Sequence, residues 1–124
     1  MGLYKTLKVK DKELKLKLRA KDCVDLENKL GRSPLDVLME SNEGRLPKVG
    51  FVILVLQCSL QAYEHGYSLD KVYELYDEIV EDGKDLIDML DIITDIFQVS
   101  GFFNKEKKRE EEKQEEEQTV EPAI

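Results

Sequence analysis

A chain of 124 residues is one domain by length, large enough for a single hydrophobic core and too small for two independent ones. Its formal net charge of −8 argues against nucleic acid as the main partner, because phosphate recognition needs a concentrated excess of Lys and Arg. Charged residues make up 37% of the chain, above the roughly 25% of globular domains, so much of that charge belongs on helix surfaces or outside the folded part.

The charge is unevenly distributed. Residues 1–22 hold eight basic and three acidic side chains, residues 23–104 six and sixteen, and residues 105–124 five and eight, a basic front end on an acidic body. Residues 3–19 alternate in the manner of strands: Leu7, Val9, Leu14, Leu16 and Leu18 fall on one face, and Lys8, Lys10, Lys15, Lys17 and Arg19 on the other. A two-residue turn at Asp11-Lys12 would set Val9 opposite Leu14, Leu7 opposite Leu16 and Lys10 opposite Glu13. That register also sets Lys8 against Lys15, a like-charge pair that only water or an acidic partner makes tolerable.

From Asp22 the period changes to that of a helix. Cys23, Leu26 and Leu30 form its stripe, and Gly31 stands where a left-handed C-terminal cap is needed. A second helix is capped by Ser33 with Pro34 in its first turn; Leu35, Leu38 and Met39 face inward, and Asn42 to Gly44 end it. Pro47 opens a third helix reaching Gly66, apolar nearly all round over Phe51 to Leu56, which makes it the central one. Ser68 caps a fourth that turns Val72, Leu75, Tyr76, Ile79 and Val80 inward and stops at Gly83. The fifth buries Leu86, Met89, Leu90, Ile93 and Phe97, and its opposite face carries Asp85, Asp88, Asp91 and Asp95.

The expected fold is thus α+β and mainly α: an N-terminal hairpin over residues 3–19, then about five helices over 22–103 in one compact domain of residues 1–104. Residues 105–124 hold thirteen charged side chains and nothing large and apolar before Val120, so they read as a disordered charged tail. The longest apolar run, Phe51 to Leu56, is far below the ~20 residues that span a bilayer.

Sites of chemistry are lacking in this pattern. The chain has one histidine, His65, and two separated cysteines, Cys23 and Cys58, which read as reduced, buried thiols of a cytoplasmic protein. No nucleophile–base pair, zinc set or phosphate loop can be assembled from them, so no catalytic, metal or cofactor site is predicted. The four aspartates of the fifth helix lie on its outside, where nothing raises a carboxyl pKa. Aromatic residues are the candidates for contact with another protein. Tyr63, Tyr67, Tyr73 and Tyr76 gather around the turn between the third and fourth helices, as core or as partner surface. Phe102 and Phe103, at the boundary of body and tail, point to a contact site.

The order of parts carries a resemblance. A basic hairpin leads into Leu18-Arg19-Ala20 and the stretch Leu26 to Leu35. An apolar helix follows, ending in Leu60-Gln61-Ala62-Tyr63-Glu64-His65-Gly66, then Ser68-Leu69-Asp70-Lys71-Val72-Tyr73 and Val99-Ser100-Gly101-Phe102-Phe103. Over residues ~3–103 this resembles the tail assembly chaperones of long-tailed phages and prophages of Gram-positive bacteria. The resemblance implies a non-catalytic helper in the cytoplasm of the bacterial host. Such a helper coats the tape measure protein, keeps it soluble, and recruits tail tube subunits through a longer form made by ribosomal frameshifting. Self-association, through the hairpin edge or through a basic front meeting the acidic body of the next copy, is expected as well. A different class also fits: a small regulatory or adaptor protein, antitoxin-like or an acidic inhibitor.

Overall fold

The computed structural model describes residues 3–103. They form an antiparallel hairpin of β1 (Lys5–Val9) and β2 (Lys12–Leu16), followed by α1 (Ala20–Leu30), α2 (Pro34–Asn42), α3 (Val49–Leu60), α4 (Leu69–Glu81) and α5 (Leu86–Val99). The charged tail expected over 105–124 lies outside the described residues.

The hairpin buries the face that the alternation predicts: Leu7, Val9, Leu14, Leu16 and Leu18 are all in the core. Its register differs from the expected one. Leu7 pairs with Leu14, Lys8 with Glu13 and Val9 with Lys12, so the turn falls on Lys10 and Asp11. A slide of two residues keeps every apolar side chain on the same face and trades the Lys8–Lys15 repulsion for a Lys8–Glu13 attraction. The cost is borne by Lys10, which takes φ +56, a left-handed conformation unfavourable for a residue with a Cβ.

Helix boundaries follow local capping chemistry. Asp22, expected to open α1, is instead its third residue: its carboxylate accepts the Arg19 backbone N–H at 3.0 Å and the Arg19 Nε–H at 2.8 Å, which starts the helix at Ala20. Gly31 closes α1 at φ +76, donating to Glu27 O at 2.8 Å, as its position implied. In α2 the buried residues are Pro34, Val37 and Leu38, and Met39 turns out to solvent. The third helix ends at Leu60, short of Gly66. There Gln61 Nε2 donates to the carbonyls of Gln57 and Tyr67, folding the chain back on the helix end and leaving His65 exposed in the connection. Ser68 caps α4, its Oγ accepting from Lys71 N–H, while Asp85 and Asp88 cap α5 reciprocally at 2.9 Å each.

α3 is the hub. Eight of its twelve residues are buried, and it packs against α1, α4, α5 and β2; α5 also packs on β1, and α2 leans on α1. Two hydrogen bonds fasten the hairpin exit to this hub: Lys17 N–H to Ser59 O at 2.9 Å, and Leu18 N–H to Ser100 Oγ at 2.8 Å. Val80, expected inward, is exposed, on a helix that packs chiefly against α3. Among the described residues no helix is long and apolar enough to cross a membrane.

Candidate functional site

A helix that is apolar all round must be covered on every side. α1 and α4 cover much of α3, but α2 is short and is held mainly by α1, so the first turns of α3 are left with an incomplete lid. The result is a groove of about 630 Å³, floored by Phe51, Ile53 and Leu54 of α3. Leu30, Val37, Leu46, Leu69 and Tyr73 form its walls. Three of these wall residues are markedly open to water: Leu46 at 56%, Tyr73 at 50% and Leu69 at 36%. Apolar side chains converging on one concavity are the usual form of a site for another polypeptide or an apolar ligand.

The rim is cationic within a body whose net charge is strongly negative. Lys29, Arg32 and Lys48 border the groove with Glu40 as the one carboxylate. Arg32 pairs with Glu40 and pulls its carboxyl below the usual range, and Lys29 reaches Asp25 at 3.1 Å. Lys48 makes no ion pair among the described residues.

A second cleft, of about 650 Å³ between α1 and α3, has the opposite character. Its walls are Asp22, Asp25, Asn28, Gln57, Gln61 and their basic partners, with charges that satisfy one another: Arg19 on Asp22, Lys29 on Asp25. At its floor Cys58 is 1% exposed, and burial pushes its thiol up to about 11. Such a thiol is protonated and inert at neutral pH. Among the described residues no three His, Cys, Asp or Glu side chains converge on a metal-sized site.

The predicted aromatic cluster is dispersed by the fold. Tyr63 stacks edge-on against Tyr4 at 5.4 Å, beside the hairpin, with Lys15 Nζ 4.9 Å above the Tyr4 ring. Tyr67 lies half-buried in the polar cleft, and Tyr76 is half-buried against the core. Only Tyr73 reaches the apolar groove. Phe102 and Phe103 are half-buried on the core, Phe102 meeting Phe97 edge-on at 5.5 Å and donating its N–H to Phe97 O at 3.0 Å. The aspartate face of α5 is likewise divided: Asp85 and Asp88 cap the helix, Asp91 is exposed, and Asp95 is not merely solvated but holds Lys5 at 3.0 Å.

Sequence reasoning missed the groove itself, which five separate segments assemble. Two signals were available: Leu46 and Leu69, apolar residues outside every predicted stripe, each beside a helix start.

Known proteins place the chain in a family. One described as Family of unknown function (DUF6096) matches residues 2–123. The chain belongs to that family. The DUF6096 match runs from the hairpin through every groove residue and on through the glutamate-rich tail. No curated protein and no solved structure matches.

Proposed function

We propose that this protein is a non-catalytic holder of helical clients, and that its client is the tape measure protein of a long-tailed phage or prophage. The observation that carries this reading is the groove: an apolar floor with three half-open apolar walls, framed by charge, suits the nonpolar stripe of an amphipathic helix. In this reading the protein acts in the cytoplasm of a bacterial host as a tail assembly chaperone. It keeps the tape measure soluble and passes it to tail tube subunits through a frameshifted longer form.

The size of the groove sets the mode of action. Covering Leu46, Leu69 and Tyr73 is worth at most about 3 kcal/mol in gross terms, taking about 1 kcal/mol for each half-exposed side chain. A single contact of that size is weak, and release is built in. Many copies along one long client supply the missing affinity.

Self-association remains part of the proposal, with fewer charges to draw on than the sequence implied. Lys5, Lys10 and Lys12 already pair within the chain, to Asp95 at 3.0 Å, Glu81 at 2.9 Å and Glu78 at 3.0 Å. The same pairs weaken the rival reading of an acidic inhibitor, since part of the acidic surface is already satisfied.

Co-expression with the tape measure protein tests the reading. The soluble fraction of that client should rise several-fold with the intact chain and fall back with Leu46→Asp or Leu69→Asp. A client equally insoluble with and without the chain sinks the assignment.

A further inference from the structure

The groove has a candidate occupant within the chain. Residues 110–121 contain seven glutamates against one lysine, an acidic run whose natural counterpart is a cluster of cations. Among the described residues the lysines nearest the hairpin turn are engaged, Lys10 with Glu81 and Lys12 with Glu78; on the groove rim Lys29 pairs with Asp25 and Arg32 with Glu40, while Lys48 makes no ion pair and stands directly beside the apolar floor. The hairpin's outer lysines offer charge without an apolar floor.

Apolar character in residues 104–124 is confined to the last few positions. Val120, Pro122 and Ile124 alternate with Glu121 and Ala123, so in an extended chain they share one face, the conformation that Pro122 favours. That face matches a floor of Phe51, Ile53 and Leu54.

Distance permits the contact. The tail departs from the end of α5, where Ser100 receives the Leu18 N–H just before α1 begins, and the groove lies at the opposite end of α1. Eleven helical residues span about 16 Å, which some six extended residues cover at about 3.3 Å each. Residue 110 therefore reaches the rim. The match to the family extends through residue 123, so the segment belongs to what defines the family and is no appendage to it.

We propose that residues 110–124 dock in this groove of the same molecule, glutamates along the rim of Lys29, Arg32 and Lys48 and Val120, Pro122 and Ile124 on the apolar floor, until a client displaces them. The proposal rests on the groove being a surface for polypeptide, as argued above. Tethering raises the local concentration of the segment to about millimolar, enough to hold a weak contact closed and still yield to a multivalent client.

The test uses the full chain with photoreactive benzoylphenylalanine replacing the half-exposed Tyr73. Irradiation and tryptic digestion should join position 73 to the peptide 114–124, and in a mixture of light and ¹⁵N-labelled chains both halves of the product should carry the same isotope label. Lys48→Glu should lower the yield about threefold or more, the size expected when a surface attraction becomes a repulsion. Val120→Asp with Ile124→Asp should abolish it. Products joining position 73 only to other segments, hybrid light–heavy products that reveal a second copy's tail, or yields indifferent to the tail variants would each overturn the proposal. A synthetic amphipathic helix with a leucine stripe flanked by glutamates separates this failure from that of the groove. It should bind the Val120→Asp, Ile124→Asp chain several-fold tighter than the parent. Equal binding to both, still lost with Leu69→Asp, leaves the groove standing without its resident; binding indifferent to Leu69→Asp removes both.

Discussion

Replacing Phe102 by alanine asks whether the aromatic pair after α5 serves the fold or waits for a partner. The ring is half-buried against the core, and its edge meets Phe97, which is fully buried, at a centroid distance of 5.5 Å and an interplanar angle of 70°. Half of the burial value of a phenylalanine is about 1 kcal/mol, and an edge-on ring pair adds about 1 kcal/mol. Phe102→Ala should therefore lower stability by about 2 kcal/mol, a fall in Tm of about 8 °C for a domain of this size. Urea unfolding followed by circular dichroism measures the loss. The specific claim is the ring contact, so the decisive form is a cycle with Phe97→Leu: the double variant should lose about 1 kcal/mol less than the sum of the single losses. A loss below about 0.5 kcal/mol, with the two effects strictly additive, would show that Phe102 does not support the core and would return it to the partner surface.

The remaining predictions concern α1 and its neighbour. Burial holds the Cys58 thiol at about 11 in the folded chain against about 9 when unfolded, so its contribution is fully present below pH 9 and is lost as pH rises from 9 to 11. Over that window the parent should lose roughly 3 kcal/mol more than Cys58→Ala does, read from urea midpoints at stepped pH; parallel curves would refute the burial argument. Asp22, 4% exposed, accepts from the Arg19 backbone and guanidinium together. Asp22→Ala should cost about 2 kcal/mol in thermal unfolding, combining a lost cap with a lost charge-assisted hydrogen bond, and a change under 0.5 kcal/mol would deny the capping role.

Much of the architecture could be read from single residues because helix ends are local chemistry. Ser33-Pro34, Gly31, Ser68 and Gly83 each act within one turn of chain, and the elements they delimit stand where those residues put them. The strand register was less legible for a physical reason: a shift of two residues preserves which face every side chain occupies, so apolar alternation is blind to it. What chose between the two registers was the charge of Lys8, set against Glu13 in place of Lys15. Met39 and Val80 show another limit. Their positions satisfy the helical period, but a stripe is buried only as widely as its neighbour reaches, and α2 and α4 each have a narrow neighbour. The groove lay beyond any local signal, because α1, α2, the 43–48 linker, α3 and α4 must all be in place before Leu46 and Leu69 face one another. Tyr63 and Tyr73 were neighbours in sequence and end in different surroundings for the same reason.

One jaw of the groove is set more loosely than the other. Its firm side is α3, gripped by four other elements, while its opposite side includes α2, which is attached chiefly through α1 and buries only Pro34, Val37 and Leu38. Opening of α2 disturbs little of the central packing, so its amides should exchange with solvent well before those of α3. Under the function proposed above, a recess with one yielding jaw would fit guests of unequal girth.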